Sequence, residues 1–421
     1  LIRGGFTHTI DGWSRSPAEY ANDFRDGELL KEVFVIDGAR TAFGEFCGSL
    51  RDIIAIDLGA IAARGAIERA GIKPDRIDHV VFGNVLQTSR DAIYGARHVG
   101  LKSGVPIAVP ALTVNRIGGS GLQALICGAQ MIQLEQAGIC LVGGMENMSL
   151  SPQIVRETRA KAVMGYSYME DSLWTALTDS YNGMMMGDTA EHIAERFDIR
   201  REEQDEYAFR SYRLAVNARD SGRLSEEIVP VHVTGDSGEE KIVLTDESIR
   251  ETTPEKLAQL NPAVRKNGVI TVGNSSGLND GAAALVIAGR QRAEEIGLKP
   301  KARLKSYGFY GVDPDIMGMG AAFALKIALE KAGLEISDVD LFEVNESFAS
   351  QYIACERELK IDREKANVNG GAIAIGNPLA ASGARLVLTL VYEMAHKDVN
   401  IGAVALSIGG GQGIAAVFER V

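Results

Sequence analysis

Val114-Asn115-Arg116-Ile117-Gly118-Gly119-Ser120-Gly121 is the stretch that decides how this chain is read. The approach to it, 109–114, is largely apolar and β-branched at Val109, Thr113 and Val114. The stretch after it, 121–136, is mostly apolar. A β-branched approach predicts a strand, the glycines a tight turn, and the long apolar run a helix. Ile139–Val142 then reads as another short strand. The same alternation starts at Val33–Ile36, passes through helical periodicity over 52–70, and reaches a buried strand at Val80–Phe82. Strands alternating with helices predict an α/β architecture whose sheets are covered by helices.

The pattern recurs. Residues 66–84, AIERAGIKPDRIDHVVFGN, lie over 328–346, ALEKAGLEISDVDLFEVNE, without a gap. Each copy ends a helix, passes through Ala-Gly and enters an apolar strand. Val114-Asn115 before Gly118-Gly119 is echoed by Val368-Asn369 before Gly370-Gly371. Agreement in length, order and element type predicts a duplicated plan.

The chain has 421 residues, which fits two domains of about 200 residues each. Its formal net charge of -12 disfavours nonspecific attraction to nucleic acid or anionic membranes. No apolar run of about 20 residues occurs, so no transmembrane helix is expected. Cys47, Cys127, Cys140 and Cys355 lack metal-type spacing and read as reduced thiols of a cytoplasmic protein. Residues 1–30 lack a signal peptide's apolar centre and carry five acidic residues that argue against a transit peptide. They read as an accessory extension, with Ser16-Pro17 opening a short helix. Between the halves, 150–260 is more polar, with amphipathic helices expected at Met184–Phe197 and Glu202–Asp220 and a surface turn at Asp236–Glu240.

Further blocks complete the pattern. Asp37-Gly38-Ala39-Arg40-Thr41-Ala42-Phe43-Gly44 and Gly143-Gly144-Met145-Glu146-Asn147-Met148-Ser149 flank the opening motif. Gly273–Gly281, Asn345-Glu346-Ser347-Phe348, Asn369-Gly370-Gly371 and Gly409-Gly410-Gly411-Gln412-Gly413 follow. In that joint order, over 31–421, the chain resembles the thiolase family. The resemblance implies a duplicated αβαβα layered α/β fold with an inserted loop domain. The expected division is an N-terminal extension at 1–30, an N-terminal half at 31–150 and 260–290, the insertion at 151–259, and a C-terminal half at 291–421. It also implies a homodimer or dimer of dimers, and acyl transfer between CoA thioesters through a cysteine nucleophile, an activating histidine and a second cysteine.

At those three positions the chain has Gly118, Asn377 and Ser407. Glycine has no atom that can accept an acyl group. Cys127, nine residues on, reads as a core side chain rather than a displaced nucleophile. The Asn377 amide can donate to a thioester oxygen but cannot act as a neutral imidazole does; a purely structural amide is the equal alternative. Ser407 could position water, or pair with His98 or His192, but an unactivated hydroxyl is a poor base. Asn345 resembles the family residue that holds a water in an oxyanion site, and Gly409 the backbone donor of a second one; simple turn geometry is the rival reading. Ser306 resembles a residue contacting the pantetheine arm. Met185 stands where a histidine often precedes Met-Gly, and the run Met184–Met186 could line an acyl pocket or fill a core gap. The usual proline-rich Met-Gly turn is altered at Met317-Gly318-Met319-Gly320.

These substitutions lead to the expectation of an acyl-CoA-binding protein lacking ordinary thiolase activity, either a pseudoenzyme or a non-catalytic subunit. Its ligand would be coenzyme A or acyl-CoA, with no covalently bound cofactor, nucleic acid or membrane. Alternatives are cleavage of an acyl-CoA by enolate stabilisation without a cysteine, ordinary acetyl-CoA C-acyltransferase activity, and a structural assembly role. A hetero-complex with an active thiolase-like, hydratase-like or OB-fold subunit is the further partner considered.

Overall fold

The computed structural model describes residues 31–156, 168–235 and 237–421. The N-terminal extension with its expected helix lies outside them, as does Asp236 at the head of the expected surface turn.

Nine strands build the frame: β1 (Val33–Thr41), β2 (His79–Gly83), β3 (Ala111–Val114), β4 (Ile139–Asn147), β5 (Asn279–Gly289), β6 (Ala302–Gly311), β7 (Leu341–Val344), β8 (Ile401–Ile408) and β9 (Gln412–Arg420). Their spatial order is β7-β8-β9-β6-β1-β5-β4-β2-β3. In the N-terminal half β1, β5 and β4 pair antiparallel, and β4 pairs parallel with β2. The C-terminal half repeats this: β6, β9 and β8 pair antiparallel, and β8 pairs parallel with β7. The two halves meet where β1 and β6 pair antiparallel, Val33 facing Leu304. The repeat read in the sequence is therefore a repeat of topology, with 80–84 and 342–346 at matching strand ends.

Helix α1 (Ala55–Arg69) covers the outer face of the first half, and α5 (Gly320–Ala332) that of the second. Between the halves lie α2 (Ser120–Gln133) and α7 (Leu379–His396), giving five αβαβα layers. Every residue of α7 from Leu379 to Val391 is buried, so the helix is apolar on most of its circumference, and its polar members Ser382, Arg385 and Thr389 bond to Asn377, Glu343 and Glu227. Leu386, Val387, Leu388 and Leu390 supply apolar surface, each contributing about 1.5–3 kcal/mol by burial. β5 is buried along its whole length for the same reason: both its faces carry helices.

α2 and α7 approach closely because both are glycine-bearing at the crossing. A Cβ at Gly121 would lie 2.5 Å from the Ala380 carbonyl oxygen, and one at Gly383 2.4 Å from the Leu122 nitrogen.

The segment between the halves carries α3 (Met186–Arg196), α4 (Arg201–Asp220) and short hairpins. The helix expected from Met184 starts two residues later, because Met184–Met185 pairs as a strand with Thr178–Asp179. Buried charges fasten this segment to the core. Arg40 of β1 binds Glu227 at 3.1 Å and Asp246 at 2.6 Å, and Arg223 binds Glu227 at 2.9 Å and Glu393 of α7 at 3.0 Å. Pairing this full offsets the cost of taking those charges out of water.

Candidate active site

The site forms where two helices and two strands end together. Gly118 stands two residues before α2 and Asn377 two before α7, and the crossing at Gly121 and Gly383 brings those two helix starts together. A helix N-terminus presents unpaired N–H groups and about half a unit of positive charge. Two converging on one space favour an oxygen that carries negative charge. The parallel strands β7 and β8 end beside them: Val344 pairs with Ala405, and the next residue, Asn345, donates its N–H to the Ala405 carbonyl at 2.9 Å. Ser407 and Gly409 follow on the β8 side.

Ile117 has a φ of 45°, a left-handed conformation that a β-branched residue adopts only at a cost of about 1–3 kcal/mol. The strain sets the direction in which Gly118 enters α2. A Cβ built on Gly118 would meet a single atom within 4 Å, the Ser407 carbonyl oxygen at 3.9 Å. Position 118 therefore borders open space next to β8.

Asn377 is engaged at every polar atom. Its N–H donates to Asn279 Oδ1 at 2.8 Å, its Nδ2 donates to Ser276 Oγ at 3.1 Å, and its Oδ1 accepts from Ser382 Oγ at 2.7 Å. Ser407 is engaged as fully: its hydroxyl donates to the Gly318 carbonyl and accepts from the Ala321 N–H at 3.1 Å. No histidine joins it among the described residues; His98 instead faces Asp91 at 3.3 Å. The Ser–His reading falls on this geometry.

Asn345 differs. It is buried, its Nδ2 donates to Ser347 Oγ at 3.2 Å, and its Oδ1 has no partner. A buried acceptor left without a donor costs about 1–3 kcal/mol, so this is the atom at the site that a ligand or water would satisfy. Ser276 joins the same cluster, donating through Oγ to the Ser347 carbonyl at 3.1 Å.

Ser306, read as a pantetheine contact, is corrected by the structure. It lies buried in β6 with its hydroxyl donating to the Ala328 carbonyl of α5 at 2.6 Å, which leaves it no proton for a ligand. The serine at the site is Ser276. Its signal was the polar run Asn274-Ser275-Ser276 placed just before a buried strand, a position where polar side chains need a purpose. Met186, with Ile117, Met184, Pro314, Met317 and Gly409, lines a cavity of about 270 Å³. The altered Met317 turn and the methionine run thus meet around one space.

Two further thiols, Cys127 and Cys355, take their character from their surroundings. Cys127 is on the body of α2, accepting from Gln123 Nε2 at 3.2 Å. Cys355 is buried behind Ser407 with its thiol on the Gly318 carbonyl at 3.2 Å, and burial pushes its pKa up to about 11. A thiol so rarely ionised at neutral pH is a poor nucleophile. The described residues also contain no group of three His, Cys, Asp or Glu arranged to hold a metal, and no helix long and apolar enough to cross a membrane.

The family models for the N-terminal and the C-terminal domain of thiolase match residues 33–291 and 298–420. The chain belongs to the thiolase family. An acetyl-CoA acetyltransferase from Syntrophomonas wolfei is 46% identical over 399 residues, covering 93% of this chain and 100% of that protein. The human mitochondrial 3-ketoacyl-CoA thiolase is 44% identical over 392 residues, covering 93% and 99%. The crystal structure of the human mitochondrial enzyme superposes with a TM-score of 0.92 at 44% identity, covering 94% of this thiolase and 100% of that chain. The same human protein in complex with CoA gives 0.91, covering 93% and 99%.

These relatives overturn one expectation. Proteins 43–46% identical over nearly the whole length are named as acetyltransferases, acyltransferases or thiolases, which indicates an enzyme of that kind rather than a pseudoenzyme or non-catalytic subunit.

Proposed function

We propose that this thiolase transfers acyl groups on CoA thioesters, cleaving 3-oxoacyl-CoA with free CoA and running the reverse condensation. The observation that carries the reading is the convergence of the α2 and α7 N-termini on the ends of β7 and β8, with Asn345 Oδ1 free to hold a water that would in turn donate to a substrate oxygen. That arrangement is suited to a thioester oxygen as it gains negative charge. The CoA complex of the human relative supports CoA as the ligand.

Because Gly118 bears no acyl-accepting atom, the acyl group passes directly to the incoming thiol. The sulfur of free CoA attacks the C3 carbonyl of the substrate, and the C2–C3 electron pair moves onto the thioester as an enolate. C2 then takes up the proton that the thiol gave up. Gly118 and Gly409 serve through backbone N–H groups, Asn345 orders the donor at the oxyanion, and Asn377 holds the start of α7. Met184, Met186 and Met317 flank the acyl chain with adaptable thioethers.

The test is acetoacetyl-CoA cleavage by the purified protein, followed by loss of its enolate absorbance, with intact-mass analysis of the stopped reaction. CoA-dependent turnover with no acetyl adduct on the protein is the expected result. A protein that binds CoA but gives no turnover over hours sinks the reading.

The division into halves with an insertion at 151–259 belongs to this proposal, as does a cytoplasmic location, which four cysteines without a disulfide fit. So does a homodimer. β3 is the outermost strand of the first half, and Leu112 on it, with Ile93, Tyr94 and Ile107 nearby in sequence, is exposed. An uncovered apolar edge is suited to pairing with its own copy. Sedimentation at micromolar concentration should give twice the chain mass, and Leu112→Lys should shift it toward one.

A further inference from the structure

Glu346 sits between Asn345 and Ser347 and is fully buried. Its carboxylate takes hydrogen bonds from neutral donors on two separate segments. Tyr207 and Ser211 of α4 donate through their hydroxyls at 2.6 and 2.7 Å. Asn367 donates through Nδ2 at 2.8 Å and Ile373 through its backbone N–H at 3.2 Å. Neutral donors satisfy a carboxylate without cancelling its charge, so a single salt-bridge partner is replaced by a cage that works only when all its walls are in place.

The cage joins parts of the site that are far apart in sequence. On one side Glu346 is covalently next to Asn345, the residue with the unsatisfied oxygen. On the other it holds 367–373, the segment that leads through Gly376 into Asn377 and α7. The contact is close: a Cβ on Gly371 would lie 2.1 Å from the Glu346 carboxyl carbon, and the Gly371 N–H donates to Ser211 Oγ at 3.0 Å. The clamp itself comes from outside the two halves, because Tyr207 and Ser211 belong to the inserted segment. Tyr207 is held in turn by stacking on Tyr352, ring centroids 4.2 Å apart.

We propose that Glu346 is a positioning residue for the reaction: gripped by Tyr207 and Ser211 of α4, its carboxylate fixes Asn345 on one side and, through 367–373, Asn377 on the other. This rests on the acyl-transfer reading for its kinetic consequence and on geometry alone for its structural one. An amide at 346 keeps the volume but turns an N–H2 toward a donor-only group whichever way it lies, Asn367 Nδ2 at one oxygen position or the Ile373 N–H at the other, so it breaks the cage at one oxygen without emptying it.

The experiment compares wild type, Glu346→Gln and Tyr207→Phe by hydrogen–deuterium exchange and by acetoacetyl-CoA kinetics. In Glu346→Gln the amides of 341–350 and of 367–378 should exchange at least fivefold faster together, while those of 139–147 stay unchanged. In the same variant kcat should fall at least tenfold with KM within twofold, and Tyr207→Phe should move both readings in the same direction by less. Faster exchange confined to 341–350, or a rate loss that only tracks a lowered melting temperature, overturns the proposal. A wild type without turnover removes the acyl-transfer reading, and the two exchange windows still decide the clamp.

Discussion

A side chain added at position 118 enters open space, and Gly118 is not in the left-handed region, so glycine is not demanded there by backbone or packing. Gly118→Cys should therefore fold with a stability within about 0.5 kcal/mol of wild type. Its thiol, at the start of α2, should be lowered in pKa by the helix end and alkylated at pH 7 well before Cys127. Mass analysis after brief iodoacetamide treatment checks this; equal labelling at both positions would contradict the geometry. Glycine at 118 was plain in the sequence, unmistakable inside a motif. The neighbours were not. Ser306 stands in a strand and Ser276 in a polar run before one, and only the fold shows that the first bonds to the Ala328 carbonyl and the second to Asn377. Glu346 was visible as a letter in a motif, but Tyr207 and Ser211, which give it a role, lie more than 130 residues away.

Helices and strands were more legible than contacts. α2 and the repeated strand ends followed from apolar periodicity, a property of neighbouring residues. What periodicity leaves out is how near two elements come. The α2–α7 crossing depends on two glycines whose missing Cβ atoms let backbone touch backbone. Gly383→Ala should push α7 away from Leu122 and cost about 1–3 kcal/mol through overpacking. Urea unfolding measures the cost. Because the same crossing brings Gly118 and Asn377 together, turnover should drop further than the fraction unfolded explains. An alanine variant of full stability and full rate would mean that the helices do not set the site.

At the scale of the molecule, buried acids tie stability to pH. Burial pushes Glu343 on β7 up to about 8, from 4.5, although Arg385 pulls it down; burial likewise pushes Glu146 on β4 to about 8, against the pull of its backbone N–H donors. In the window between those values the folded protein holds protons that the unfolded chain has released. Stability contributed by these groups is therefore highest below about pH 4.5, falls as pH rises, and levels off above about 8. Urea midpoints at pH 5.5 and 8.5 should differ in that sense, and Glu343→Gln should narrow the difference. A variant with an unaltered slope would assign the effect elsewhere. The duplicated plan also has unequal ends. At the C-terminal end the strand β7 is closed off: Ala366 bridges Phe342, and the Asn367 side chain accepts from the Val344 N–H and donates to the Val344 carbonyl, as a strand would. At the other end β3 has no such cover among the described residues. A tile with glue on one edge makes pairs, while a tile with glue on both makes chains. By blunting one terminus of a sheet built from two copies of one design, Asn367 leaves that edge closed to a further strand, so pairing through the opposite edge would stop at a finite count instead of running on into fibres.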